Sequence, residues 1–224
     1  MPLARVVQPL LLADRVFDQI KAGIMSGELP EGTPLRVRDL ADQVGTSVMP
    51  VREAMRRLEE SGLAVREPHK GAVVKTLSVD ELHQTYDVRI LLECEAARRG
   101  AAASRAVDHA QMRRLHTDIV RSVAAGRLIE ALDLDEALLT VLYEAASNAA
   151  LMESIRNLWQ RCRLYKVRSV RSTGERINYN AWSHLPPLMT AAENGDGTGA
   201  ALITRDSLIN AQREVEGSLV SSVI

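Results

Sequence analysis

Val37-Arg-Asp-Leu-Ala-Asp-Gln-Val-Gly-Thr-Ser-Val-Met-Pro-Val-Arg-Glu-Ala-Met-Arg-Arg-Leu-Glu-Glu-Ser-Gly62 reads as two short helices joined by a tight turn at Gly45-Thr46. In the second helix Val51, Met55 and Leu58 fall at i, i+4 and i+7 and form one apolar stripe. Arg52 and Arg56 stand one turn apart on a neighbouring face. Gly45 suits the left-handed end of the first helix. Ser47 suits the N-cap of the second, and Pro50 falls in its first turn, where a missing N–H costs little. A helix that buries one side and offers arginines on another fits a DNA major groove. A plain helical hairpin with solvated arginines fits the same features.

The flanking residues favour the first reading. Residues 63–77 read as a small β-hairpin in which Val65 and Val73 pair across a tip at Pro68-His69-Lys70-Gly71. Upstream, Val16, Ile20, Ile24 and Leu29 mark a helix closed by Gly27, and Pro30-Glu31-Gly32-Thr33-Pro34 reads as a turn. Helix, helix, helix and basic hairpin is the order of a winged helix, whose wing meets phosphate or the minor groove.

These residues resemble a family. Ile24, Gly27-Glu-Leu-Pro-Glu-Gly-Thr-Pro-Leu35, Asp39-Leu-Ala41, Ser47 to Glu59, Gly62-Leu63 and Gly71 look like the DNA-binding domain of GntR-family bacterial transcription regulators over residues 10–77. The resemblance implies that Arg38, Ser47, Met49, Arg52, His69, Lys70 and Gly71 sit at or near DNA, with Arg56 beside them. Many relatives carry a basic residue where this chain has Val48, so one familiar contact is missing.

Composition fits a regulator. The chain has 224 residues, room for two domains, and a net charge of −1, so any DNA affinity comes from a local patch doubled by dimerisation. Cys94 and Cys162 match no metal or redox spacing and read as reduced thiols. There is no signal-peptide pattern and no run of the ~20 apolar residues that a span requires, so a cytoplasmic protein is expected. No nucleophile motif, phosphate loop or metal cluster points to an enzyme.

Residues 78–224 are Ala- and Leu-rich and read as helices over 79–103, 107–125, 128–146, 149–172, 182–194 and 197–217. Ser78 N-caps the first, with Glu81 three residues on. Arg171 to Asn178 reads as a loop and Asn194 to Gly199 as a turn. The domains expected are therefore a winged helix over 1–77 and an all-helical domain over 78–224, mostly α in class.

This half resembles the effector-binding and dimerisation domain of the FadR-type branch of the same family, the FCD domain. Tyr86-Asp-Val-Arg89, Leu92-Glu93, Ala96-Ala97, Asp135, Tyr143 to Asn148, Leu151 and Asp196 to Ala200 carry the likeness. The resemblance implies a helical bundle around a small-molecule cavity, often for a carboxylate. Many FCD domains hold a metal with one Asp and three His. Here Asp135 falls on the Asp position, while the His positions fall on Leu139, Leu185 (with His184 just before it) and Ser207. The expectation is no metal and no cofactor.

Without a metal the effector would meet Arg89, Asp135, Leu139, His184 and Leu185. Arg89 either pairs with a ligand carboxylate or makes an ordinary intrahelical pair with Glu93, worth about 0.3–0.5 kcal/mol when exposed. Asp135 reads as solvated rather than as a hydrogen-bonding relic. His184 reads as a satisfied polar residue, with a pH-sensitive cavity residue as the alternative. Tyr86 and Trp182 read as core packing. The run Arg161, Arg163, Lys166, Arg168 and Arg171 reads as an exposed face or an interdomain contact. The function expected is a homodimeric repressor on a pseudo-palindromic operator, released by a small metabolite such as a carboxylate. The alternative is a DNA-binding regulator whose helical domain only dimerises.

Overall fold

The computed structural model describes residues 9–68, 71–76, 78–172 and 179–220. The chain divides into two compact units, Met1–Leu77 and Ser78–Ile224.

The first unit runs α1 (Pro9–Ser26), α2 (Val37–Val44), α3 (Val48–Glu60), β1 (Ala64–Glu67) and β2 (Gly71–Val74). Val16, Ile20 and Ile24 of α1 bury against Val51, Ala54, Met55 and Leu58 of α3. An Asp14–Arg57 ion pair joins the same two helices, and the Arg57 guanidinium lies 4.4 Å from the centroid of the Phe17 ring. Gly45 takes φ 67°, and the Thr46 N–H reaches the Ala41 carbonyl at 3.0 Å, which ends α2 sharply. Ser47 holds the extended backbone of an N-cap, yet its hydroxyl makes no capping bond. The cause is local: the third helical residue is Pro50, which has no N–H to donate.

The hairpin pairs Val65 with Val73, as the sequence predicts. Residues of the preceding turn join it as a third lane. Gly32 N–H donates to the Val74 carbonyl at 2.9 Å and Leu35 N–H to that of Ala72 at 2.8 Å. His69 and Lys70, at the expected wing tip, lie outside the described residues.

The second unit runs α4 (Val79–Ala103), α5 (Ala106–Ala124), α6 (Leu128–Glu144), α7 (Ala149–Ser172), a 3₁₀ turn (Tyr179–Trp182), α8 (Leu185–Glu193) and α9 (Gly197–Val220). The helix expected over 182–194 starts instead at Leu185. Pro186 and Pro187 lack N–H groups and fit only a first helical turn, so the preceding residues form a separate 3₁₀ turn. Ser78 caps α4 by accepting the Glu81 N–H at 3.4 Å. The Asp196 carboxylate accepts from the Gly199 N–H at 2.8 Å at the start of α9. Of the loop expected over 171–178, residues 173–178 lie outside the described residues. No described helix is long and apolar enough to cross a membrane.

α4 is the central helix, packed against α9, α7 and α6. It carries small residues on its buried face: Ala96, Ala97, Gly100 and Ala101. Gly in a helix interior costs about 1 kcal/mol relative to Ala, so Gly100 needs a reason. A Cβ there would stand 2.0 Å from the backbone oxygen of Leu142 on α6. The close approach of α4 and α6 sets the depth of the bundle interior. We expect Gly100→Ala to destabilise the chain by about 1–3 kcal/mol in urea unfolding, despite the better helix propensity of alanine. Unchanged or increased stability would show that the helices do not approach this closely.

Candidate functional site

In the first unit α3 turns Val48, Met49, Arg52 and Arg56 outward; Met49 is 68% exposed. A groove runs along α2, α3 and β2, lined in part by Arg38, Met49, Arg52, Arg56 and Gly71. Its arginines are not equivalent. Arg56 is held by Glu53 at 2.5 Å and by Glu60. Arg66 pairs with Glu59 at 3.0 Å, and Arg36 stands 3.9 Å from Asp39. Among the described residues Arg38 and Arg52 make no ion pair, so their guanidinium groups need displace no carboxylate to meet an anion. Ser47 is exposed at the start of the same helix, its hydroxyl free of the cap. Arg38, Ser47, Met49, Arg52, Arg56 and Gly71 therefore lie around one end of α3 and its neighbours. Sequence spacing did not separate Arg52 from Arg56; the carboxylates at i−3 and i+4 of Arg56 carried that signal.

The second unit contains a cavity of ≈ 160 Å³, with Tyr86, Arg89, Leu132, Asp135, Leu139, Lys166, Trp182, His184, Ser207, Asn210 and Glu214 in its wall. Of the residues expected there, Arg89, Asp135, Leu139 and His184 come together. Leu185 does not: it is fully buried in the apolar core, and His184 takes the wall position.

Arg89 and Glu93 form the pair that the i, i+4 spacing allows, with Nε donating to Oε1 at 2.6 Å. Both side chains are almost wholly buried, 2% and 0% exposed, so the small value of an exposed helical pair does not apply. Tyr143 donates its hydroxyl to Glu93 at 3.4 Å, and the Arg89 guanidinium stacks 4.6 Å from the Tyr86 ring centroid. Nη1 of Arg89 is buried without a hydrogen-bond partner among the described residues.

Asp135 is not solvated, against expectation. It shares the buried stripe of α6 with Leu132, Leu138, Leu139 and Leu142, and its Oδ1 also lacks a partner among the described residues. Burial pushes its carboxyl above the usual aspartate range; His184, Lys166 and Arg89 oppose this, and Glu136 adds to it. Burial holds the His184 imidazole below its usual value, with Asp135 opposing.

Two residues of the basic run on α7 differ from expectation, while Arg161 is exposed as expected and the side chains of Arg168 and Arg171 lie outside those described. Arg163 and Lys166 are 14% and 12% exposed and pair with acids of α6, Arg163 with Asp133 and Glu136, Lys166 with Glu136 at 3.6 Å. A helix that buries its apolar face against α6 brings its flanking cations onto α6 carboxylates. Sequence reading missed Asn210 and Glu214. With Ser207 they stand at i, i+3 and i+7, a polar stripe that was visible in the sequence. The positions compared with the family's metal ligands now hold Asp135, Leu139, His184 and Ser207: one carboxylate, one imidazole, a hydroxyl and an alkyl group. Among the described residues no three His, Cys, Asp or Glu side chains gather into a metal-holding group.

Two measurements test this electrostatic arrangement. Glu93→Ala leaves Arg89 buried without its counter-charge, and we expect a loss of about 3–5 kcal/mol in urea unfolding; a loss near zero would mean that Arg89 reaches water. The raised pKa of Asp135 means that the unfolded chain releases this proton first as pH rises. Stability is therefore lost from about pH 4 upward, until the folded chain releases it too. Asp135→Asn is expected to melt above the native chain at pH 7, with the advantage shrinking as the pH is lowered toward 4. A variant that melts lower at pH 7 would show that the carboxylate is well partnered.

Comparison with known proteins agrees with this architecture. The model for "Bacterial regulatory proteins, gntR family" matches residues 12–74, and the FCD domain model matches residues 84–210. The chain is 32% identical over 190 residues to the probable D-xylose utilization operon transcriptional repressor of Paenarthrobacter nicotinovorans, covering 83% of this chain and 80% of that one. It is 24% identical over 174 residues to the HTH-type transcriptional repressor RspR of Escherichia coli (strain K12), covering 77% and 71%. Its fold is similar to a putative transcriptional regulator from Rhodococcus sp. RHA1, with TM-score 0.75 and 21% identity over 92% of this chain and 97% of that one. Escherichia coli McbR/YncC follows with TM-score 0.72 and 22% identity over 95% and 99%. With one model on the winged helix and the other on the helical unit, this chain belongs to the GntR family of bacterial regulatory proteins, as a transcription regulator with an FCD domain rather than an enzyme.

Proposed function

We propose that the chain is a cytoplasmic repressor that binds a pseudo-palindromic operator as a homodimer and leaves it when a small molecule occupies the helical-unit cavity. The end of α3 carries the DNA half of this reading. Arg52 and Arg38 are exposed and without ion pairs among the described residues, beside an exposed Met49 with no packing role. Arginine supplies bidentate contacts to guanine edges, and a methionine side chain packs against apolar base edges. Ser47 is placed for a phosphate at the helix N-terminus. We include His69 and Lys70, which lie outside the described residues, in the DNA contact set on the family resemblance alone. Arg56 contributes less, because contact with DNA would first have to release it from Glu53 and Glu60.

The cavity carries the sensing half. A buried guanidinium N–H and a buried carboxylate oxygen without partners cost stability, and a ligand that meets both recovers it. Asp135 and His184 alone do not fit a divalent ion, so we propose a site that works without metal. Occupancy changes the preferred spacing of the two winged helices in the dimer, with a coupling of about 1–3 kcal/mol. On α4, Val88 and Leu91 are 43% and 71% exposed and one turn apart, an apolar strip suited to a second copy. A second reading, in which the helical unit only dimerises, is favoured by the small size of the cavity, below the usual ~300–1,000 Å³ of ligand sites.

With an operator selected from random duplex DNA by the native chain, Arg52→Ala is expected to weaken binding about 10- to 100-fold, and Arg56→Ala less. Native-like binding by Arg52→Ala would overturn the assignment of α3. Leu91→Glu is expected to sediment as a monomer; a stable dimer would place the interface elsewhere.

A further inference from the structure

The charges around the cavity point to a particular kind of ligand. Arg89 already serves Glu93 at 2.6 Å, and Lys166 stands 3.6 Å from Glu136. Both wall cations are therefore matched by carboxylates. Three wall groups lack hydrogen-bond partners among the described residues: an N–H of Arg89, which calls for an acceptor, Oδ1 of Asp135, which calls for a donor, and the Tyr86 hydroxyl, which takes either. A carboxylate ligand would satisfy the first, face Asp135 with a like charge, and share an arginine whose charge Glu93 has already cancelled. An amine would satisfy Asp135 but, as a donor only, bring no acceptor for the Arg89 N–H. Burying a carboxylate with no free counter-charge is costly. A hydroxyl both donates and accepts. Ser207 and Asn210 supply further neutral hydrogen-bonding groups on the wall, while Trp182 and Leu139 offer apolar surface for a carbon skeleton.

We infer that the effector is an uncharged polyhydroxylated molecule, a small polyol or sugar, whose hydroxyls accept from Arg89 Nη1 and donate to Asp135. This deepens the sensor reading above and rests on it. The cavity, ≈ 160 Å³, is of the order of one that takes benzene, which sets the ligand at a short carbon chain or a single small ring. It also reverses the expectation of a carboxylate drawn from the family resemblance.

The test is thermal unfolding of the full-length protein with chelator present and six probes: erythritol, xylitol and D-xylose as neutral compounds, succinate and tartrate as carboxylates, and L-threonine as a zwitterion. A probe at about ten times its Kd raises the melting temperature of a chain this size by roughly 3–6 °C. At least one neutral probe is expected to do so, and Asp135→Asn to weaken it about tenfold. A rise with succinate, tartrate or threonine alone overturns the ligand class and leaves the sensor reading standing. A rise with a neutral probe that Asp135→Asn leaves unchanged overturns the assignment of Asp135. If no probe moves the melting point, the ligand class falls. If Ser207→Leu then fills the cavity, stabilising the chain without altering operator affinity, the sensor reading falls with it.

Discussion

The Arg89–Glu93 pair is the constraint around which the helical unit is arranged. Both residues lie on α4, the helix that packs against α6, α7 and α9, and neither reaches water. A buried ion pair is a poor source of net stability, because desolvation consumes most of the Coulombic gain. What it secures is position. Glu93 accepts from Arg89 and Tyr143, Tyr86 supplies the face on which the guanidinium lies, and one guanidinium nitrogen is left without a hydrogen-bond partner among the described residues. Gly100 adds the second constraint, since only a residue without Cβ lets α6 come close enough for Asp135 and Leu139 to form the opposite wall. Polar groups are thereby held in an apolar bundle with some of their hydrogen-bonding capacity unused.

The winged helix follows a different logic. Its core is apolar and ordinary, and the DNA contacts proposed for it follow from which arginines are already occupied. Glu53 and Glu60 engage Arg56, and Glu59 engages Arg66, while Arg38 and Arg52 stay unpaired among the described residues. Internal carboxylates compete with phosphate and lower non-specific affinity, in keeping with a chain whose net charge is −1. Pro50 acts in the opposite direction on a smaller scale: it withholds the N–H that the Ser47 hydroxyl would otherwise cap, which leaves that hydroxyl free.

Much of this was legible in the sequence. The apolar stripes of α1 and α3, the Gly45 turn, the Val65–Val73 pairing and the Ser78 cap all follow from local periodicity and turn chemistry, which are short-range. The misreadings share another cause. Asp135 looked solvated because aspartate usually is, although its spacing from Leu132, Leu138 and Leu142 placed it on the buried stripe of α6. Arg163 and Lys166 looked like an exposed basic face because their partners, Asp133 and Glu136, lie on a different helix. Leu185 exchanged places with His184 because two adjacent prolines set where α8 begins. In each case a tertiary partner or a helix phase decided the outcome, and neither appears within a short window of sequence.

The most direct test of the central claim, a metal-free sensor coupled to DNA reading, is fluorescence anisotropy of the selected operator with chelated native protein, titrated with the ligand that raises its melting temperature. The account predicts release of the operator by that ligand, with a midpoint unchanged when divalent metal is restored. Release that requires the metal, or an operator affinity indifferent to a ligand that demonstrably binds, would contradict it.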